Sequence, residues 1–181
     1  NVTYDYDYAS SLTLTKSTLN DSCMIVDIDE TGDRIIVGAP AYGGNNNGLC
    51  RVFDYRIPTQ DEWNDSTAYG GTVMKGTDTG ISSPVSGRKY WVRVGNPITF
   101  NGGARLGASV SISGNGQVIA TGIPWNAGPQ RKGGVNIMNY EMDYTLFPAA
   151  NNWIDYGNQD IFKTGTSGAH EPNDYDLFGT S

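Results

Sequence analysis

The stretch Val26-Asp-Ile-Asp-Glu-Thr-Gly-Asp-Arg-Ile-Ile-Val-Gly-Ala-Pro40 returns as Val110-Ser-Ile-Ser-Gly-Asn-Gly-Gln-Val-Ile-Ala-Thr-Gly-Ile-Pro124. Val26 and Val110, Ile28 and Ile112, Gly32 and Gly116, Ile35 and Ile119, Gly38 and Gly122, and Pro40 and Pro124 match at one spacing of 84 residues. A repeat of this kind sets the architecture, because each copy is one supersecondary unit that must bury its apolar face on its neighbour. A third copy opens at Asp176-Leu-Phe-Gly-Thr-Ser181, matching Leu106-Gly-Ala-Ser109.

Working outward, the first copy predicts strands over 23–28, 34–38, 50–55 and 90–94, with a hairpin turn at 29–32 and a loop over 40–48. The second predicts strands over 106–113, 117–121, 135–140 and 152–156. The unbroken Ile35-Ile-Val37 run implies burial on both faces. Past the loops the copies stay aligned after one inserted residue, Val52 with Ile137, Phe53 with Met138 and Tyr55 with Tyr140. Trp91-Val-Arg-Val-Gly95-Asn and Trp153-Ile-Asp-Tyr-Gly157-Asn make a second shared landmark. Residues 56–88, rich in Gly, Ser, Thr and Asp, read as an insertion.

At the N-terminus Val2, Tyr4, Tyr6, Tyr8, Leu12 and Leu14 alternate with polar residues, the period of a strand with one apolar face. The chain therefore divides into an N-terminal strand (1–20), a first repeat (21–96), a second (97–158), and a linker with the first strand of a third (159–181). Four antiparallel strands per repeat make the blade of a β-propeller. The expected class is all-β, with propeller-like blades, two repeats plus the start of a third, either cut from a longer protein or forming an open array completed by neighbouring subunits.

Composition narrows the function. Charged residues are only 17%, while 24 Gly and 11 Tyr suit short strands and tight turns rather than long helices. A net charge of −7 argues against nucleic acid, which needs basic patches, and against anionic membrane surfaces. No apolar run reaches the length of a membrane-spanning helix. Asn1-Val-Thr3, Asn20-Asp-Ser22 and Asn64-Asp-Ser66 are glycosylation sequons, which favour a secreted or surface glycoprotein carrying glycans on Asn1, Asn20 and Asn64. Opening at Asn1 without Met or an apolar signal core, the chain reads as a processed mature protein or a fragment.

These landmarks resemble the FG-GAP repeat, the blade unit of integrin α-subunit propellers and of many surface proteins. The Phe-Gly element is Phe178-Gly179, varied as Leu106-Gly107; the Gly-Ala-Pro element is Gly38-Ala39-Pro40, varied as Gly122-Ile123-Pro124. The resemblance covers most of 21–181 and implies adhesion or scaffolding outside the cell more often than catalysis. The departure is the number of repeats, two where a closed propeller needs at least four. An open array leaves sheet edges that recruit partners. The strand carrying Tyr4, Tyr6, Tyr8, Leu12 and Leu14, or the one carrying Phe178, is expected either to insert into a neighbouring copy of the chain or to close its own sheet.

Many blades of this kind carry a calcium loop, and Asp27, Asp29, Thr31 and Asp33 offer oxygen at alternate positions around Gly32. Calcium is the one cofactor the pattern suggests; the plainer alternative is a polar hairpin, since Ile35 stands where a further acid would be wanted and the second repeat has Ser111, Ser113 and Asn115 instead. Ser167, His170 and Asp174 are hydrolase residue types, but they lie in a Gly/Ser/Thr-rich run without a Gly-x-Ser-x-Gly elbow, so no catalytic residue is assigned. Cys23 and Cys50 fit an oxidising compartment. With a strand between them they would stand about 9–10 Å apart, beyond disulfide reach unless the edge is irregular. An intramolecular bond, a bond between subunits and buried thiols all stay open, the first being preferred. Trp91 and Trp153 recur at matching positions and read as packing, whereas Trp125, in a loop, is the candidate for stacking on a ligand.

The reading is a non-enzymatic extracellular structural glycoprotein, a subunit of a fibre, appendage or coat that associates with copies of itself. The alternative is a ligand-binding adhesion or lectin-like module.

Overall fold

Alternating side chains and glycine turns produce two antiparallel sheets in the computed structural model, which describes residues 25–155 apart from 44, 66–70, 101–102, 125–132 and 147–148. The first sheet contains β1 (Ile25–Ile28), β2 (Arg34–Ala39), β3 (Leu49–Arg56), β4 (Val73–Met74) and β5 (Tyr90–Thr99), in the order β1-β2-β3-β5-β4. The second contains β6 (Val110–Ile112), β7 (Val118–Ile123), β8 (Gly134–Asp143) and β9 (Ala150–Asp155), in sequence order. Among the described residues helix is confined to α1 (Gln60–Asn64) and a 3-10 turn at Gly76–Asp78. The fold is all-β, as expected.

The repeat is visible in the pairing. Ile28 faces Ile35 across β1 and β2, and Ile112 faces Ile119 across β6 and β7. Each hairpin turns on a glycine at positive φ, 75° at Gly32 and 68° at Gly116, which glycine adopts without strain. Tyr55 faces Trp91 and Tyr140 faces Trp153. The two aromatic pairs have the same geometry, with centroids 5.1 and 5.0 Å apart and planes tilted by 42° in both.

Some strand ends differ from expectation for visible reasons. β6 is shorter than 106–113 because the preceding residues are held elsewhere: Leu106 bridges to Gly48, and Gly107 N donates to Gly122 O at 2.9 Å. β5 runs past 94 because the register slips around Gly95 (φ 69°), after which Ile98 pairs with Cys50.

The insertion at 56–88 is structured. Thr59 caps α1 reciprocally with Glu62, and Arg56 grips the Glu62 carboxylate at 2.9 and 2.5 Å. Trp63 is buried against Val73, Tyr90 and Val92, edge-on to Tyr90 at 5.1 Å, and its Nε1 donates to Ile81 O at 3.0 Å. β4 pairs Val73 with Val92 and extends the first sheet by a strand.

One core lies between the sheets. Ile36, Cys50, Val52, Val94 and Ile98 from the first meet Ile112, Ile119, Ile123 and Trp153 from the second. Strand alternation puts Val26, Ile28, Ile35, Tyr55 and Trp91 on the first sheet's opposite, outer face. Their repeat counterparts, Val110, Ile112, Ile119, Tyr140 and Trp153, all belong to the second sheet's inner layer. The repeats therefore stack in the same sense, front on back.

Gly38 sets how close they come. A Cβ there would run into the Gly107 carbonyl and stand 2.9 Å from Val110 Cγ1. Gly38→Ala is expected to push the sheets apart and cost about 1–3 kcal/mol, read from the denaturant midpoint, whereas Gly80→Ala, in open space, leaves the midpoint unchanged.

Candidate functional site

The oxygen-rich hairpin is built for its own turn. Asp29, 8% exposed, accepts from Arg34 N at 3.0 Å and Thr31 Oγ1 at 2.8 Å, and Thr31 Oγ1 accepts from Asp33 N at 3.3 Å. The second hairpin repeats the scheme with neutral groups: Ser113 Oγ accepts from Val118 N at 2.9 Å and donates to Asn115 Oδ1 at 2.7 Å, which accepts from Gln117 N at 3.1 Å. The Asp29 carboxylate thus does what an uncharged Ser113 does one repeat later. Burial pushes the Asp29 carboxyl up, but the bonds from Thr31 and Arg34 outweigh it and hold it below the usual range. Asp33 turns to Lys89 at 3.8 Å, and Asp27 turns to the second sheet. Asp29, Thr31 and Asp33 stay joined within the turn while Asp27 leaves it, and among the described residues no group of three or more His, Cys, Asp or Glu could hold a metal ion.

Asp27 is the feature the sequence did not disclose. Its Oδ2 accepts from Ile112 N at 2.9 Å and Ser111 Oγ at 3.1 Å, so it caps the strand at its own counterpart position one repeat on. The bond from Ile112 holds its carboxyl below the usual range. Around it the repeats exchange further bonds: Glu30 N to Gly114 O (3.0 Å), Arg34 Nη1 to Gly116 O (2.8 Å), Asn96 N to Asn152 Oδ1 (2.8 Å) and Trp153 Nε1 to Val94 O (3.0 Å). Arg34 also lies over the Tyr140 ring at 5.0 Å while its guanidinium pairs with Asp54 at 2.6 Å. At the other end the 43–48 loop holds the linker: Gly103 N donates to Asn47 Oδ1 and Arg105 N to Asn46 O, both at 2.9 Å. The chemistry on display is directional recognition of one repeat by the next.

The other expected sites divide in two. Cys50 carries a free thiol, fully buried in the core between the sheets, and burial pushes it far up. Cys50 faces the inter-sheet core against Gly107, while its expected partner Cys23 lies outside the described residues. Asn64 is exposed at the end of α1, its Oδ1 accepting from Gln60 at 3.0 Å. Trp63 and Trp153 are buried packing residues and Trp91 is half-buried. Asn1, Asn20, Cys23, Trp125, Ser167, His170, Asp174, Phe178 and the Tyr4–Leu14 set lie outside the described residues.

Compared with protein families, with curated proteins and with solved structures, the chain matches none.

Two predictions follow from the contact between repeats. Because the folded Asp27 carboxyl sits below its unfolded value near about 4, its contribution is complete above that value and is lost as pH falls through the folded value. Stability should therefore drop on acidification below about pH 4, and Asp27→Asn, which still accepts but does not titrate, should flatten that drop in pH-dependent unfolding. Trp153→Phe strands the Val94 carbonyl and should cost about 1–3 kcal/mol, against a smaller loss for Trp91→Phe, whose Nε1 has no partner among the described residues.

Proposed function

We propose that this chain is a non-enzymatic extracellular structural glycoprotein, a subunit of a surface fibre, appendage or coat made of propeller-like blades of the FG-GAP type. The observation that carries the reading is the front-on-back stacking of the two repeats. A contact between unlike faces is heterologous: it propagates rather than closing on itself, and builds a ring or a filament when continued between subunits. Two further features support it. Val26 and Ile28 on β1, the edge strand of the first sheet, are 62% and 54% exposed. The sequon residue Asn64 is at the surface, where a glycan can be carried outside the cell. The polar groups between the repeats are engaged in holding them together, which suits a mechanical role.

Electron microscopy and sedimentation velocity of the purified full chain test the reading. Elongated particles whose length grows with concentration are expected, and removal of residues 1–17 should shorten them. A compact monomer at every concentration overturns it.

A further inference from the structure

The loop that ends the insertion has a fixed base and a bare tip. At the base Tyr90 Oη donates to Asp78 Oδ2 at 2.7 Å, and Arg88 Nη1 donates to the same oxygen at 2.9 Å. Trp63 Nε1 holds the Ile81 carbonyl at 3.0 Å, and Val85 N donates to Tyr90 Oη at 3.4 Å. Around these anchors the chain reads Gly76-Thr-Asp-Thr-Gly-Ile-Ser-Ser-Pro-Val-Ser-Gly87, with no strand in it. Thr77, Thr79, Ser82, Ser83 and Ser86 are all exposed. A Cβ placed on Gly80 or Gly87 would meet nothing within 4 Å, so both stand in open space.

Hydroxyls elsewhere in the chain hold its turns and caps. Thr31 bonds Asp29, Thr59 caps α1, Ser113 closes the second hairpin and Thr145 bonds Asp143. The hydroxyls of Thr77, Thr79, Ser82, Ser83 and Ser86 bond nothing among the described residues. They crowd around Pro84, and a Ser/Thr-rich stretch with proline is the composition of O-glycosylated segments. The Asn64 sequon adjoins them. Gln60 Nε2 donates to Asn64 Oδ1 at 3.0 Å and to the Ser82 carbonyl at 2.8 Å, so the two segments meet on one amide.

The surroundings favour a neutral sugar over a phosphate. Phosphate would add negative charge beside Asp78, on a chain already at −7. A sugar adds none, and its C–H faces can cover Ile81 and Val85, which stand 42% and 43% exposed on the same loop.

We propose, on the reading of this chain as an extracellular glycoprotein, that the loop over 77–86 carries O-linked neutral sugars. A glycosyltransferase brings a Ser or Thr hydroxyl oxygen to the anomeric carbon of a nucleoside-diphosphate sugar. The bond from that carbon to the hydroxyl oxygen forms as its bond to the phosphate oxygen breaks. The nucleoside diphosphate leaves, and the hydroxyl proton passes to the transferase and then to solvent. The corresponding turn of the second repeat, between β8 and β9, instead ties Thr145 Oγ1 to Asp143 at 2.5 Å. Among the described residues the cluster therefore belongs to the first repeat alone, and a stack of subunits displays it at every second repeat.

Mass spectrometry of the full chain, purified from the cells that make it, tests this. Trypsin cleaving after Lys75 and Arg88 releases residues 76–88 as one peptide, separate from Asn64. That peptide is expected to carry hexose or N-acetylhexosamine increments, which alkaline β-elimination removes and an N-glycan-releasing amidase leaves in place. A bare 76–88 peptide beside a glycosylated Asn64 overturns the proposal and keeps the glycoprotein reading; both bare overturns both. Phosphate on the loop in place of sugar also overturns the proposal. Alanine at Thr77, Thr79, Ser82, Ser83 and Ser86 together should abolish the increments and leave the thermal midpoint of sugar-free protein unchanged. A marked fall in that midpoint assigns the hydroxyls to the fold and counts against the proposal.

Discussion

A sheet that stacks front on back has two different faces to satisfy, and this constraint governs the molecule. In a two-sheet sandwich one face of each sheet can stay polar and meet water. Here the inner face of the first sheet is matched to the second, while its outer face carries the same residues that the second uses for docking. The unbroken apolar run on β2 is the direct consequence. Ile36 faces the core and Val37 the other side, and both are buried. Alternation would have cost the strand one of its two contacts.

Small and polar residues then fix the distance and direction of the stack. Gly38 and Gly107 let two backbones approach where any side chain would intervene. Asp27 then addresses the neighbour's strand edge with a charged acceptor, a stronger bond than a neutral one. Trp153 anchors the far side by pairing an indole N–H with a backbone carbonyl in a buried setting, where an unmet carbonyl would be costly. Apolar burial supplies cohesion without direction; these bonds supply the offset, holding counterpart hairpins side by side, Glu30 on Gly114.

Much of this was legible in the residues because a repeat is a self-alignment. Strand identity, sheet order and the two hairpins followed from matching Val26 to Val110 and Gly32 to Gly116, and the Tyr55–Trp91 and Tyr140–Trp153 pairs from the second landmark. The insertion was less legible. β4 is two residues long, too short to carry a period, and its membership depends on Val92 lying opposite. α1 had announced itself in Thr59-Gln-Asp-Glu62, a capping box directly before Trp63, within a stretch whose Gly and Ser content pointed to a loop. The acids of the first hairpin read two ways for a physical reason. Alternating oxygens fit a cation and a self-bonded turn equally well, and only the neutral Ser113–Asn115 version of the same turn distinguishes them.

The role of Asp27 lay out of reach for a different reason. The donors it accepts from belong to a strand edge 84 and 85 residues away, and no local pattern encodes a partner at that distance. Yet the partner is the residue's own repeat position shifted by one, Ser111, together with the next backbone N–H. In stacked repeats the most informative neighbour of a residue is its counterpart. A polar residue that changes type between copies, as Asp27 does to Ser111, marks the place where one repeat gives and the next receives.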